Sequence, residues 1–483
     1  MLPTALPPPV LNEHDESKDT MSATTHCVLY RDGNGWCLYS ERLWLALEYK
    51  QANYQTVLCH VEGDTYDGSS SGGSNALPQI LPRLVVVQGK TITTASDTIT
   101  SENDPPEIER DWSNTSSTDN SADAASIAWL RQLDTLFPDS PRRIWPLKDS
   151  PYIAEQIEAY HKAIRPLAMA ARPSPRAALL FHKTEGYRLD PLESAVFQTF
   201  LETTESILQQ RHEEGPFFCG ASFSAADIVW APLLERYAIQ LPCLLGTAAG
   251  VIPRDSTLYP HLCRWYDAME TIPEYVCRIR GDALSWRKVL YRDPWWPSAD
   301  TWHSRDTVGP KGALQLDEPE CEQVFHGNNN SNNHSLQDWN TIWSFYGQPR
   351  PHVSPLGPAA EAACCILRNR KRIIQDARQW MEDEGYQNGE EDVMKEALKN
   401  IVVLLYNRNL PPPIDKSNDD NDAIDINKRE CITSTTAATW LSDPMVHQLL
   451  LYLDHRVCVP RDMGAPSAAA IRTLLRDSMN VII

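Results

Sequence analysis

The chain has 483 residues, with 64 acidic against 44 basic side chains and a formal net charge of −20. That leaves room for two or more domains and argues against a nucleic-acid or anionic-membrane partner, whose surfaces would repel it. Its 12 cysteines are scattered, with Cys364-Cys365 adjacent and no Cys-x-x-Cys pair, which argues against a zinc ribbon or a disulfide framework. No apolar run reaches the roughly 20 residues that span a bilayer.

Residues 1–26 carry prolines, acids and a single Lys18. They read as a disordered tail and not as a transit peptide, which would be basic and acid-poor. A cytoplasmic address is the default expectation. Cys27-Val28-Leu29-Tyr30 then reads as a buried strand, and Arg42-Leu43-Trp44-Leu45-Ala46-Leu47-Glu48 has the apolar spacing of a helix. Between them lies Trp36-Cys37-Leu38-Tyr39-Ser40-Glu41. A cysteine on a strand-to-helix turn meets unpaired backbone N–H groups and the positive end of the helix dipole, and both favour thiolate over thiol. The bland reading is a small buried apolar residue, since free cysteine is commonly buried and inert.

Gln55-Thr56-Val57-Leu58-Cys59 predicts a second strand. Arg83–Val87 and Lys90–Thr93 flank Gln88-Gly89 as a hairpin. Leu81-Pro82 stands at the hairpin's entry, where proline suits a strand start or a cis turn. Strand, helix, strand and hairpin in that order describe a small α/β domain.

At this point the chain resembles the cysteine-type glutathione S-transferases: the omega, lambda and dehydroascorbate-reductase classes and their algal, plant and cyanobacterial relatives. Their Cys-Pro-aromatic-Cys/Ser/Ala-Glu/Gln-Arg motif is matched by Cys37-Leu38-Tyr39-Ser40-Glu41-Arg42, with Leu38 in place of proline. Leu81-Pro82 is similar to the pair whose backbone holds the cysteinyl part of glutathione. The family's Glu-Ser pair, which holds the γ-glutamyl end, is Thr94-Ala95-Ser96 here, so Ser96 matches after a shift of one residue. The resemblance therefore implies Cys37 as catalytic nucleophile and Tyr39, Ser40, Leu81, Pro82 and Ser96 as glutathione-binding residues. Ser40 is the alternative, activating glutathione through a hydrogen bond, but the serine of serine-type transferases aligns with Cys37, which the resemblance favours.

Further along, Gly215-Pro216-Phe217-Phe218-Cys219-Gly220 leads into Phe223-Ser224-Ala225-Ala226-Asp227-Ile228. Ser224 as N-cap and Asp227 at N3 predict a capping box, with Phe223 and Ile228 placed for a hydrophobic staple. The same residues resemble the Ser/Thr-x-x-Asp box of the transferases' all-helical half. Tyr259–Tyr266 and Ile272-Pro273 are similar to that domain's last helices.

The expected architecture is α+β. Residues 27–137 form a thioredoxin-like α/β domain, with inserted loops near 66–76 and 101–125. Residues 138–300 form an all-helical transferase domain, 301–350 a linker and 351–483 a helical extension. The segments Gln323–Asn340 and Asn407–Lys428 are expected to be solvated loops. Within the extension, Ala359–Met381 and Asp392–Tyr406 have helical patterns, and Val457-Cys458-Val459-Pro460-Arg461-Asp462-Met463 is similar to a tail of algal and cyanobacterial members. The 13 histidines include no His-x-x-x-His or His-Glu-x-x-His, and His326 and His334 fall in a polar loop, so no metal is expected. Neither a Gly-x-Ser-x-Gly elbow nor a phosphate loop is present.

The resemblance implies glutathione as co-substrate, a small electrophile or disulfide as second substrate, and a homodimer as an assembly the family permits. The expected activity is thiol transfer or dehydroascorbate reduction through a mixed disulfide on Cys37. The alternative is a transferase-like binding or structural protein that retained the fold without turnover.

Overall fold

The computed structural model describes residues 26–32, 35, 37–59, 83–87, 118–170, 191–289, 320, 321, 323, 336–348, 357–383, 391–408, 441 and 443–480. These fall into two compact units, one within 6–333 and the other within 334–483. Leu81, Pro82, Ser96, the expected strand Lys90–Thr93 and the expected loop 66–76 lie outside the described residues.

In the first unit, β1 (His26–Asp32), α1 (Leu38–Tyr49) and β2 (Tyr54–Cys59) make a parallel β-α-β unit, and β3 (Arg83–Val87) pairs antiparallel on the other edge of β1. The described strand order is β2-β1-β3. Leu29 is the register anchor, opposite Thr56 on one side and Leu84 on the other. Alternation along β1 buries Cys27, Leu29 and Arg31, as a period of two requires. The Arg31 guanidinium lies 3.8 Å from the centre of the Trp44 ring of α1, so this face of the strand carries the helix. The strand begins at His26, one residue inside the stretch expected as tail.

Helix α2 (Thr118–Leu136) begins inside the segment expected to be a loop as far as residue 125. The correction has a physical cause. Asp123 supplies the carboxylate that the wholly buried Arg42 needs, and Ser126 is buried beside it.

The helical remainder of the unit comprises α3 (Ser150–Ala170), α4 (Pro191–Gln209), α5 (Ala225–Leu245), α6 (Pro260–Met269), a π-helical turn at Tyr275–Ile279 and α7 (Ala283–Val289). Its centre is aromatic: Phe218 stacks on Trp230 at 4.6 Å, and Phe200 and Tyr160 close the other sides of that indole. Helix α5 is buried through almost its whole length, and its start is fixed by the box at Ser224 and Asp227. Asp227 accepts from the Ser224 amide at 2.9 Å, the Phe218 amide at 3.0 Å, the Ser224 hydroxyl at 3.0 Å and the Trp265 indole at 3.0 Å. Burial pushes its carboxyl up to about 6, against the pull of those four donors. One carboxylate thus ties the helix cap, the preceding turn and α6 together. Gly215 allows the turn before the box to close, because a Cβ there would lie 2.4 Å from the backbone of Gly220 and Ala221.

The second unit is helical: α8 (Leu336–Gly347), α9 (Pro358–Asp383), α10 (Glu391–Asn407), α11 (Pro444–Arg456) and α12 (Ala465–Asn480). Helix α8 corrects the expectation of a linker to 350 and of a loop to 340. Trp339, Trp343 and Tyr346 recur at helical spacing and are all buried. The stretch Val457–Met463 is a buried turn between α11 and α12, with a cis bond at Val459-Pro460. Asp462 accepts from the Cys458 amide at 2.8 Å and from the Arg461 guanidinium at 2.8 Å, while Arg472 of α12 donates to the Val457 carbonyl at 2.8 Å. These bonds close the turn on itself and onto α12, and the Asp462 carbonyl accepts from the Cys365 thiol of α9 at 3.6 Å.

Candidate functional site

Cys37 occupies the N-cap of α1, with φ −74° and ψ 113°, and its side chain makes no capping hydrogen bond. The extended backbone at this position turns β1 into the helix, and the Cys37 carbonyl accepts the first helical bond, from the Glu41 amide at 3.0 Å. The thiol is half-buried and is not in a disulfide. Leu38 follows at the first helical position and is buried.

Beneath this thiol the helix is held by charge. Glu41 and Arg236 of α5 form an ion pair at 2.6 Å, with side-chain exposures of 1% and 0%. The Arg236 guanidinium also donates to the Pro232 carbonyl at 2.5 Å and lies 4.2 Å from the Trp286 ring centre. Arg42, on the next face, pairs with Asp123 of α2, reaches Ser126 Oγ at 3.2 Å, and lies between the rings of Tyr39 at 5.3 Å and Tyr160 at 5.1 Å. His161 of α3 binds the other oxygen of Asp123 at 2.8 Å. Burial alone would raise the Asp123 carboxyl, but Arg42 and His161 outweigh it and hold it well below the usual carboxylate range. At the far end of α1, Lys50 pairs with Asp134 at 2.7 Å and donates to the Arg142 carbonyl at 3.1 Å, and Glu48 accepts from the Tyr54 hydroxyl at 2.5 Å. These partners offset the three buried charges of α1 and the buried Lys50 that follows it, since a buried charge without its counterpart is strongly unfavourable.

The pair at Asp123 has a signed consequence. A carboxyl whose folded-state pKa is depressed adds stability in full above its unfolded value of about 3.9, and that stability is lost as pH falls toward the folded value. Acid unfolding of the wild type should therefore steepen below pH ~4. Asp123→Asn should flatten this limb and cost about 1.5–3 kcal/mol at neutral pH, as for other hydrogen bonds to charged groups. Urea titrations from pH 2.5 to 7 check both; parallel pH curves for the two proteins would contradict the assignment.

Of the residues marked by sequence, the structure describes Cys37, Tyr39 and Ser40 within one turn. Tyr39 is half-buried against Arg42. Ser40 is 1% exposed and its Oγ has no hydrogen-bond partner among the described residues. Ser224 and Asp227 form the capping box in the helical part. The pairs Glu41–Arg236 and Arg42–Asp123 escaped the sequence reading. Their one signal was the high charge of an otherwise apolar helix. No group of three or more metal-ligating side chains occurs among the described residues, and no described helix is long and apolar enough to cross a membrane.

Residues 150–268 match the family of the glutathione S-transferase C-terminal domain. This span runs from α3 to the end of α6 and includes the capping box. Among solved structures, the chain is similar to glutathione transferase Omega 2S from Trametes versicolor in complex with 2,4-dihydroxybenzophenone, at 17% identity and TM-score 0.31, covering 51% of this chain and 89% of that one. It is also similar to maleylacetoacetate isomerase from Anaeromyxobacter dehalogenans 2CP-1 with bound glutathione, at 14% identity and TM-score 0.31, covering 58% and 100%. The trimeric glutathione transferase TDR1 of Leishmania is similar at 14% identity and TM-score 0.34, covering 55% and 46%. No curated protein matches the chain.

Proposed function

We propose that the chain is a glutathione-dependent transferase of the cysteine type, with a thioredoxin-like N-terminal half and Cys37 as its nucleophile. The observation that carries this reading is the position of Cys37, a half-buried thiol at the first turn of the helix between two parallel strands. The family match over 150–268 and the β2-β1-β3 order support it.

In the proposed reaction the Cys37 thiolate attacks the glutathione sulfur of a mixed disulfide. The Cys37–glutathione bond forms, the substrate sulfur leaves as a thiolate and takes a proton from solvent. Ser40 offers no second thiol, so a second glutathione attacks the adduct, releases glutathione disulfide and restores Cys37. Dehydroascorbate reduction would use the same two glutathiones, which lose two electrons to the substrate. The helix start stabilises the thiolate as attacking and as leaving group, and exchange is fastest when the thiol's pKa lies near ambient pH. Tyr39, Ser40, Leu81, Pro82 and Ser96 make up the proposed glutathione site.

Differential alkylation tests the assignment. Burial pushes the thiols of Cys27, Cys219 and Cys263 up to about 12, so these should label last. Cys364 is exposed in the interior of α9 and is the natural comparison. Iodoacetamide labelling of Cys37 and Cys364 is followed between pH 8.5 and 6. Labelling of Cys37 should fall much less than that of Cys364. Two parallel profiles would remove the basis for an activated sulfur.

A further inference from the structure

We propose that Cys243 and Cys321 are a redox-modifiable pair, closing to a disulfide that ties the helical residues 320–321 to α5. Their sulfurs lie 3.1 Å apart although the residues are 78 positions apart in sequence. Both side chains are 0% exposed. A disulfide bond is about 2.05 Å long, so roughly 1 Å of approach between two facing sulfurs separates the thiol pair from the bond.

The surroundings give the two thiols different roles. Cys243 sits in the last turns of α5, behind Leu241 and Ile239, which are also buried. Its thiol is held above its ordinary range by the Cys321 thiol it touches and by burial. Cys321 lies between exposed Glu320 and exposed Gln323, one residue from solvent. In the proposal Cys321, which has exposed sequence neighbours, is the entry thiol, and Cys243, inside α5, the resolving one.

A low-molecular-weight disulfide, such as glutathione disulfide, supplies the oxidant. The Cys321 thiolate attacks it, forms a mixed disulfide and releases one glutathione thiolate. The Cys243 thiolate then attacks the Cys321 sulfur and displaces the second glutathione. In sum, two protein thiols lose two protons and two electrons, and one glutathione disulfide becomes two glutathiones. The mixed disulfide is short-lived because the resolving sulfur is already in contact. None of these steps involves Cys37, so the proposal stands apart from the transferase reading.

The test is a thiol map of the full chain. The protein is equilibrated in buffers of graded glutathione disulfide to glutathione ratio, quenched in acid, alkylated in denaturant and digested without reduction. Peptides carrying Cys243 and Cys321 should appear joined to each other, increasingly so in oxidising buffer, and should separate again in excess glutathione. Cys321→Ala should abolish the joined species and leave Cys243 alkylated. Recovery of both thiols as separate alkylated peptides at every ratio would overturn the proposal. So would a persistent glutathione adduct on either residue, or either residue joined to another cysteine. The wild-type map decides the matter by itself if the variant fails to fold.

Discussion

Cys37→Ser should lower thiol transfer to hydroxyethyl disulfide, and reduction of dehydroascorbate, by about 10³-fold or more, equivalent to some 4 kcal/mol of barrier. A serine hydroxyl cannot form a mixed disulfide with glutathione, so the covalent route closes and no partial activity remains to be tuned. Conjugation of glutathione to a chlorinated aromatic should behave differently. The hydroxyl can donate a hydrogen bond to the glutathione thiolate without trapping it, so that activity should persist or rise. Leu38→Pro is the companion variant. Leu38 is the first residue of α1, where proline's fixed φ suits the helix and its missing N–H is not needed. Faster thiol transfer is expected if the turn positions the sulfur, offset in part by the loss of a buried leucine. Full thiol transfer in Cys37→Ser would place the chemistry elsewhere in the chain.

The second large effect lies one turn along the helix. Removing either partner of the Glu41–Arg236 pair leaves the other charge buried, with 1% or 0% of its side chain exposed. Breaking such a pair costs about 3–5 kcal/mol. At roughly 2–4 °C per kcal/mol, Arg236→Ala or Glu41→Gln should lower Tm by about 10 °C. Replacing both, as Glu41→Leu with Arg236→Met, should recover most of the loss, because two apolar side chains of similar size need no counterion. The amide of Glu41 bonds to the carbonyl of Cys37. The single variants should therefore also slow thiol transfer before they unfold the unit. A loss below 1 kcal/mol in the single variants would mean that water reaches the pair.

These two sites mark how far sequence reached. The strand before Cys37, the helix after it, the second parallel strand and the box at Ser224 and Asp227 were all legible, because each rests on local periodicity or on a cap with fixed spacing. The buried charges of α1 and of Lys50 just beyond it were not. Glu41, Arg42, Glu48 and Lys50 are buried, where helical patterning would place them toward water. Their partners Arg236, Asp123, Tyr54 and Asp134 lie between 6 and 195 positions away, and no local pattern connects most of them. The same long-range pairing hid the start of α2, since Asp123 and Ser126 look like loop residues until Arg42 is beside them. The helix at Leu336–Gly347 was hidden by its flank: the Asn-rich stretch before it masked the spacing of Trp339, Trp343 and Tyr346.

The central claim is that the sulfur of Cys37 carries glutathione through the reaction, and an adduct map tests it most directly. The full chain is exposed briefly to glutathione disulfide, quenched in acid and analysed by peptide mass spectrometry without reduction. The account predicts one glutathione in disulfide linkage on Cys37, formed before any adduct on Cys364 and released by added glutathione. An unmodified Cys37, with glutathione on another cysteine or on none, would contradict it.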